Sequence, residues 1–436
     1  MISKSVEANK INLSNVQFFL LCTIPYSLVF SIFVADFFLV LICFLFIIKN
    51  IKEKKNYFNN NFFKFFFIFW IYISVRSLFA EDIFFSLKSS LLFIRVGIFA
   101  VAVKFLIEEN PKRIYVLFII LASFLPIVAA DGLLQFFTGK NIFGYYVKPG
   151  RLSGFFNTEL IFGSYIARMT PVMIGIYFYC KYLKLISQKK SDFYFLIIII
   201  FLFFLVLLSG ERVANAYFFI IIFFSFLFFK ITISKKIVTF FFVILLTIFI
   251  FFRSEVVSQR LIFFTLDQMQ SNTYQAQMKS NTDQTEVSKY FPTYIFSVDH
   301  HNHILAAYEI FKENIFFGSG VKMFRIICDQ RYKVNKHSCS THPHNLIMQF
   351  LAETGIIGLF FYFLSLFYIL IKIFKIIIGV MYYSINNNDK AKFFFLIALF
   401  IGLFPIIPSG NFFNNWISII SFLPVGLYIS KIKKTF

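Results

Sequence analysis

Charge is scarce in this 436-residue sequence: 14% of its residues are Asp, Glu, Lys or Arg, against 59% that are hydrophobic. A soluble domain is excluded by that ratio, because so few polar groups cannot cover its surface. Acidic residues are scarcer still, 21 against 42 Lys and Arg. No Asp/Glu cluster with metal-ligand spacing lies outside the apolar runs, so no essential divalent ion and no cofactor are expected. No internal repeat appears and the two halves do not mirror each other, which argues against a secondary transporter. The N-terminus has no small-residue cleavage site, so the first apolar run is expected to stay as an uncleaved anchor. Histidine is scarce, and its six residues are confined to one stretch. All six (His300, His301, His303, His337, His342 and His344) fall between Arg253 and His344.

The sequence is rich in long apolar runs. A bilayer core takes roughly 20 apolar residues as a helix, and about twelve runs qualify, near 15–32, 33–49, 62–80, 84–107, 114–137, 159–182, 193–209, 211–230, 237–252, 350–371, 393–409 and 415–430. Ala35 and Asp36 are the only break between the first two. The 71 Phe residues read as lipid-facing substitutes for Leu. The expected fold is an all-α integral membrane protein of about 12 transmembrane helices with one large periplasmic loop carrying short helices. Helices 1–9 occupy 1–252, the loop 253–344, and helices 10–12 occupy 345–436.

More than half of the Lys and Arg residues fall at alternate connections, including 49–64, 104–113, 181–190, 230–236, 372–392 and the terminal Lys431, Lys433 and Lys434. The positive-inside rule then places both termini in the cytoplasm of a bacterial inner membrane and the loop outside. The net charge of +21 marks topology and attraction to anionic membrane lipid, not a nucleic-acid partner. Cys22, Cys43 and Cys180 lie in or beside apolar runs and behave as small hydrophobes. Cys328 and Cys339 share the outside loop, where an oxidising compartment favours a disulfide between them.

Within the loop, a polar stretch at 267–288 precedes an amphipathic helix expected over 302–313, with Ile304, Tyr308 and Phe311 on one stripe. The helix stops before Gly318-Ser319-Gly320, and a basic segment with Arg325 and Arg331 leads to His342 and His344. Ionisable residues inside spans are costly and need a partner or a function. Arg76, Lys88, Arg95, Asp131, Arg168 and Arg212 are the candidates. Asp131 is expected to pair with one of Arg76, Lys88 and Arg95. Arg212 stands in a polar turn, Ser209-Gly210-Glu211-Arg212, where Gly210 permits close backbone approach to a ligand. The shorter outside connection has turn chemistry at Pro149-Gly150.

His344-Asn345 followed by Gly355-Ile-Ile-Gly358 resembles the signature of the O-antigen ligase and polymerase superfamily. Ala352, Gly355 and Gly358 offer small surfaces for close helix packing. Ser209 to Arg212 is similar to that family's Ser-Arg turn, Asn314 to Gly320 to its Gly-x-Gly stretch, and Arg151 to Asn157 to an outer segment common there. The resemblance covers roughly 150–370. Where the family usually starts the loop helix with Arg, this sequence reads Asp299-His300-His301-Asn302-His303, so either a His or Arg260 takes that role.

The resemblance implies a GT-C-like, inverting, metal-independent glycosyltransferase that uses a polyprenyl-diphosphate-linked glycan donor. Its acceptor would be lipid A–core for a ligase or the growing glycan for a polymerase. Transfer to protein and a lipid-linked-glycan flippase are the remaining alternatives. In this reading His344 is the general base and Arg212 binds the diphosphate. Arg260, Arg325, His342, Asn345, Arg151 and His303 would contact substrate. Asn345 is also expected to orient the His344 ring. The His300-His301-x-His303 and His342-x-His344 spacings leave a zinc site open as an alternative.

Overall fold

The computed structural model describes residues 12–263 apart from 55, 149 and 188–190, and residues 297–431 apart from 333–338 and 384. The polar stretch at 267–288, Pro149, His337, Lys433 and Lys434 lie outside the described residues. Regular secondary structure among the described residues is helical. The helices are α1 (Leu13–Phe30), α2 (Ile32–Glu53), α3 (Asn61–Ser77), α4 (Ile83–Leu92), α5 (Ile94–Glu109), α6 (Arg113–Thr138), α7 (Phe162–Tyr182), α8 (Ser191–Leu208), α9 (Arg212–Phe228), α10 (Ile233–Arg253), α11 (Val298–Glu313), α12 (Leu346–Tyr382), α13 (Asn387–Gly402) and α14 (Asn415–Ile429). Short helical turns occupy 255–263 and 324–332.

Each of the twelve apolar runs falls on a helix. Among the described residues seven stretches are long and apolar enough to cross a membrane: α1, α2, α4 with α5, α6, α8, α10 and α12. The remaining runs form shorter or less apolar helices. Among these, α7 is the central element, packed against α13, α6, α9 and α8 and buried along almost its whole length. Surrounded by protein, it has no lipid to face and can carry Thr170, Arg168 and several tyrosines. Its counterpart is α10, whose apolar residues are almost all exposed at the rim of the bundle.

Several boundaries differ from expectation. The first two runs part at Ser31, not at Ala35 and Asp36. Ser31 is extended and its hydroxyl caps α2, while Asp36 stays inside α2 because Arg95 of α5 lies 2.9 Å away. The 84–107 run breaks at Phe93 into α4 and α5, and the indole of Trp70 donates to the carbonyls of Ser90 (3.1 Å) and Leu91 (3.3 Å). The 393–409 run leaves its helix at Gly402, since Pro405 and Pro408 cannot extend it. Asp131 pairs with none of the three cations; it accepts from Asn141 (3.2 Å) and the backbone N–H of Ile142 (3.1 Å), holding the connection after α6.

The largest departure lies in α12. Gly355 has φ +63°, ψ −168° and interrupts the helix. A side chain there would stand 2.3 Å from the Phe316 carbonyl oxygen, so only glycine lets the two backbones meet. Residues 315–320 fill the break. Ser319 and Gly320 donate to the carbonyls of Ala352 and Glu353 (both 2.8 Å), and Ile356 donates to Ile315 (3.0 Å). Arg76 donates to the Gly318 carbonyl (2.7 Å) and Tyr72 to that of Thr354 (2.5 Å). Every group freed by such a break must find a partner in a low-dielectric setting, and this inserted segment supplies them. Gly355 therefore serves a loop insertion, not helix-on-helix packing, and Gly358 makes room for Thr354 of its own helix.

The loop has its own small core of Ala306, Ala307, Ile310, Met323, Phe324, Ile327 and Cys328, closed by Ala80 and Ala352. Helix α11 starts at Val298, earlier than expected. Its inward face is His303, Ala306, Ala307 and Ile310, whereas Tyr308 is exposed. Small alanines admit close approach to α12, which turns the bulkier stripe outward.

Candidate functional site

Successive spans alternate in direction, so the starts of α7, α9, α12 and α14 gather at one end with the ends of α6, α8 and α13. His342 and His344 enter this end just before α12, while His300 and His303 arrive one turn apart on α11 and share a face. The His344 ring is the hub. Its centre lies 4.0 Å from that of His342, 5.3 Å from His300 and 5.4 Å from His303, the last nearly parallel.

Three of the rings are held by nearby oxygens. His342 Nε2 faces the Ser409 carbonyl at 3.0 Å and must donate to it, leaving Nδ1 to accept from the Thr341 hydroxyl at 3.0 Å. Ser340 Oγ lies 3.2 Å from His344 Nε2, and Ser297 Oγ 2.6 Å from His300 Nδ1. His344 occupies a left-handed backbone conformation, φ +57°, and its carbonyl accepts from Ser409 N–H at 2.9 Å. A non-glycine residue there costs about 1 kcal/mol or more and needs its surroundings to hold it. Burial lowers the pKa of His300; it lowers that of His342 to about 4, with Arg325 and the neighbouring rings adding to the effect against the opposing Ser409 carbonyl. Burial followed by the charges of His342, His300 and His303 takes His344 to about 2. His342 and His344 are therefore neutral near pH 7, and His300 is shifted in the same direction.

The arginines form an adjoining group. Arg212 opens α9 and donates through Nε to the Arg260 carbonyl at 3.0 Å. Arg151 donates to the Leu160 carbonyl at 2.6 Å. Burial, then the nearby Arg151 charge, holds the Arg260 guanidinium below its ordinary value, and the Arg212 charge likewise disfavours protonation of His300. Gly210, at φ +68°, brings its backbone against the Gly150 carbonyl, so the expected close approach is to the chain itself and not to a ligand. The buried Glu211 carboxylate accepts from the backbone N–H groups of Gly163 (2.6 Å) and Ser164 (3.0 Å), capping α7 beside Arg212.

Cys328 and Cys339 are joined in a disulfide with their Cα atoms 5.7 Å apart. The bond ties the turn carrying Arg325 to the segment that leads to Ser340, His342 and His344.

Residues 197–363 match the family model described as O-antigen ligase, which supports membership of that superfamily. No curated protein matches it.

Of the expected residues, the fold brings His344, His342 and His303 together, sets Arg212, Arg260 and Arg151 in one group, and places the Arg325 charge near His342. Asn345 is otherwise engaged. It is the N-cap of α12, accepting from Met348 N–H (3.0 Å) and donating to the Pro405 carbonyl (3.0 Å), and it does not orient His344. Of the two candidates for the missing loop arginine, His300 contacts His344 and Arg260 contacts Arg212. Among the described residues no three His, Cys, Asp or Glu side chains are disposed to hold one metal ion. Ser340 and Ser409, which hold the two central histidines, were not anticipated. The Pro405-Ile-Ile-Pro408-Ser409-Gly410 turn was the available signal for Ser409.

Proposed function

We propose that this protein is a glycosyltransferase of the bacterial inner membrane that moves a glycan from polyprenyl diphosphate to an acceptor hydroxyl on the periplasmic side, with lipid A–core as the acceptor. The observation that carries this reading is the neutral His344, ringed by three other histidines and adjoining an arginine group, within the stretch that matches the family.

The acceptor oxygen attacks the anomeric carbon as the bond from that carbon to the diphosphate breaks on the opposite face. His344 takes the hydroxyl proton, and the diphosphate leaves with its lipid. Arg212, Arg260 and Arg151 meet the growing negative charge, which guanidinium forks match in geometry. A base with so low a pKa is weak. Donor binding corrects this: a diphosphate at the arginines brings negative charge beside the histidines and raises the His344 pKa, so base strength arrives with the substrate. This chemistry calls on no metal.

The test uses the full chain in lipid vesicles with a polyprenyl-diphosphate-linked glycan and lipid A–core. Replacement His344→Gln, which retains a polar side chain but no base, is expected to cut transfer about 10²–10⁴-fold while leaving donor binding nearly intact. Near-normal transfer would sink the assignment. Gene deletion with gel analysis of surface polysaccharide separates the acceptors. Complete loss of capped lipid A–core marks a ligase, and single-repeat capping marks a polymerase.

A further inference from the structure

A second group of cations stands on the other side of the histidines. Lys322 and Arg325 flank the start of the 324–332 turn, directly after the segment inserted into the α12 break. The Gly320 to Glu353 hydrogen bond fixes where Lys322 emerges, and Lys322 adopts a left-handed conformation, φ +62°. The Arg325 guanidinium lies over the Phe85 ring of α4, 5.7 Å from its centre, and its Nε is buried with no hydrogen-bond partner. Among the described residues neither side chain has a carboxylate within ion-pair distance. Two neighbouring loop cations differ: Arg331 bridges Glu81 and Glu313, and Lys312 pairs with Glu309.

The surrounding charges do not cancel. Arg95 is matched by Asp36. Among the described residues the buried Glu353, held by Gln349 at 3.1 Å, is then the one acid facing both Lys322 and Arg325. A positive surplus remains in a half-buried setting, where an unmatched charge is costly. Burial, and then the Arg325 charge, holds the Lys322 ammonium below its ordinary value. The two cation groups are built on different helices. Arg212, Arg260 and Arg151 rest on the α7 and α9 side, whereas Lys322 and Arg325 rest on the α4 and α12 side. His344 lies between, touching His300 towards the first group and His342 towards the second.

We infer that Lys322 and Arg325 bind an anionic group of the acceptor, a phosphate or a carboxylate near the reacting hydroxyl, while Arg212, Arg260 and Arg151 hold the donor diphosphate. This rests on the transferase reading and adds a property of the acceptor: it must carry negative charge. Lys322 is thereby a specificity-determining residue with no part in the bond-making step.

The experiment compares the full-length protein with Lys322→Asn, chosen because Asn tolerates the left-handed conformation, and with Arg325→Gln. Each is assayed in vesicles against lipid A–core, intact or treated with alkaline phosphatase. Each variant should raise the acceptor KM, and weaken acceptor binding measured without donor, by about ten- to a hundredfold. Donor KM should stay unchanged. If phosphatase treatment removes the difference between variant and parent, the recognised anion is a phosphate; if the difference persists, it is a carboxylate. A rise in donor KM, or no change in either constant, overturns the inference while leaving the role of His344 standing. Acceptor binding without donor tests the cation pair even if transfer to this acceptor is not the reaction.

Discussion

The two ends of the bundle handle positive charge differently. At the end opposite the histidines, Lys49 and Arg113 converge on Glu109, Lys104 on Glu108, and Lys181 on Asp192, which also accepts from Tyr177 and the Lys230 backbone. At the histidine end Arg331 and Lys312 are paired likewise, but Arg151, Arg260, Lys322 and Arg325 make no ion pair with a carboxylate among the described residues. Cations tied to acids lock helices together. Cations left without acids keep their charge available, and the fold pays for them in desolvation that a bound anion would recover. The difference separates charge used for architecture from charge reserved for a ligand.

Substitutions at the two ends should therefore fail in different ways. The largest stability loss is expected at the paired end. Asp192→Asn removes the carboxylate that pairs with the buried Lys181 and should cost about 3–5 kcal/mol, read as a lowered unfolding temperature in detergent, with activity per folded molecule unchanged. An intact unfolding temperature would erase the distinction between the ends. Next is Gly355→Ala, which sets a methyl against the Phe316 carbonyl at positive φ and should cost about 2–4 kcal/mol while lowering transfer, because the loop insertion carries Lys322 and Arg325. Arg212→Lys should do the reverse of Asp192→Asn. Stability should move by less than about 1 kcal/mol while transfer falls about tenfold or more, since a point charge cannot replace a fork.

The smallest expected effect is a pH dependence. The folded pKa of His342, near 4, lies below its unfolded value of 6.5, so the unfolded chain binds the extra proton. Stability from this residue is complete above about pH 6.5, declines as the pH falls, and is gone below about 4, a loss on the order of 1–3 kcal/mol. Unfolding measured between pH 7 and 4 should show this slope in the parent and a shallower one in His342→Gln.

The bundle was largely readable because long apolar runs leave little choice of structure, and every run became helical, although 84–107 divides at Phe93 and 393–409 leaves its helix at Gly402. The failures share one cause, a backbone or side-chain partner far away in sequence. Asp36 remains helical because of Arg95, the break at Phe93 is served by Trp70, and the break at Gly355 is filled from 315–320. None of these partners is visible in a local window. At the site, the histidines and Arg212 stood out because polar titratable groups are rare in this composition. Asn345 misled, because a polar residue beside His344 suits a helix cap as well as a substrate contact. Lys322 passed unnoticed because a lysine in a basic segment is unremarkable until its neighbours fail to pair with it.

The hydrogen bonds from Ser409 and Pro405 also set a time of assembly. His342, His344 and Asn345 are each held by the short connection between α13 and α14, 60 to 67 residues downstream. A chain emerging from the ribosome carries all its described histidines and arginines long before that connection exists. The histidine cluster is held in full only once the α13–α14 hairpin has formed, so on the transferase reading a nascent or truncated chain ending before Ser409 is expected to lack transfer activity.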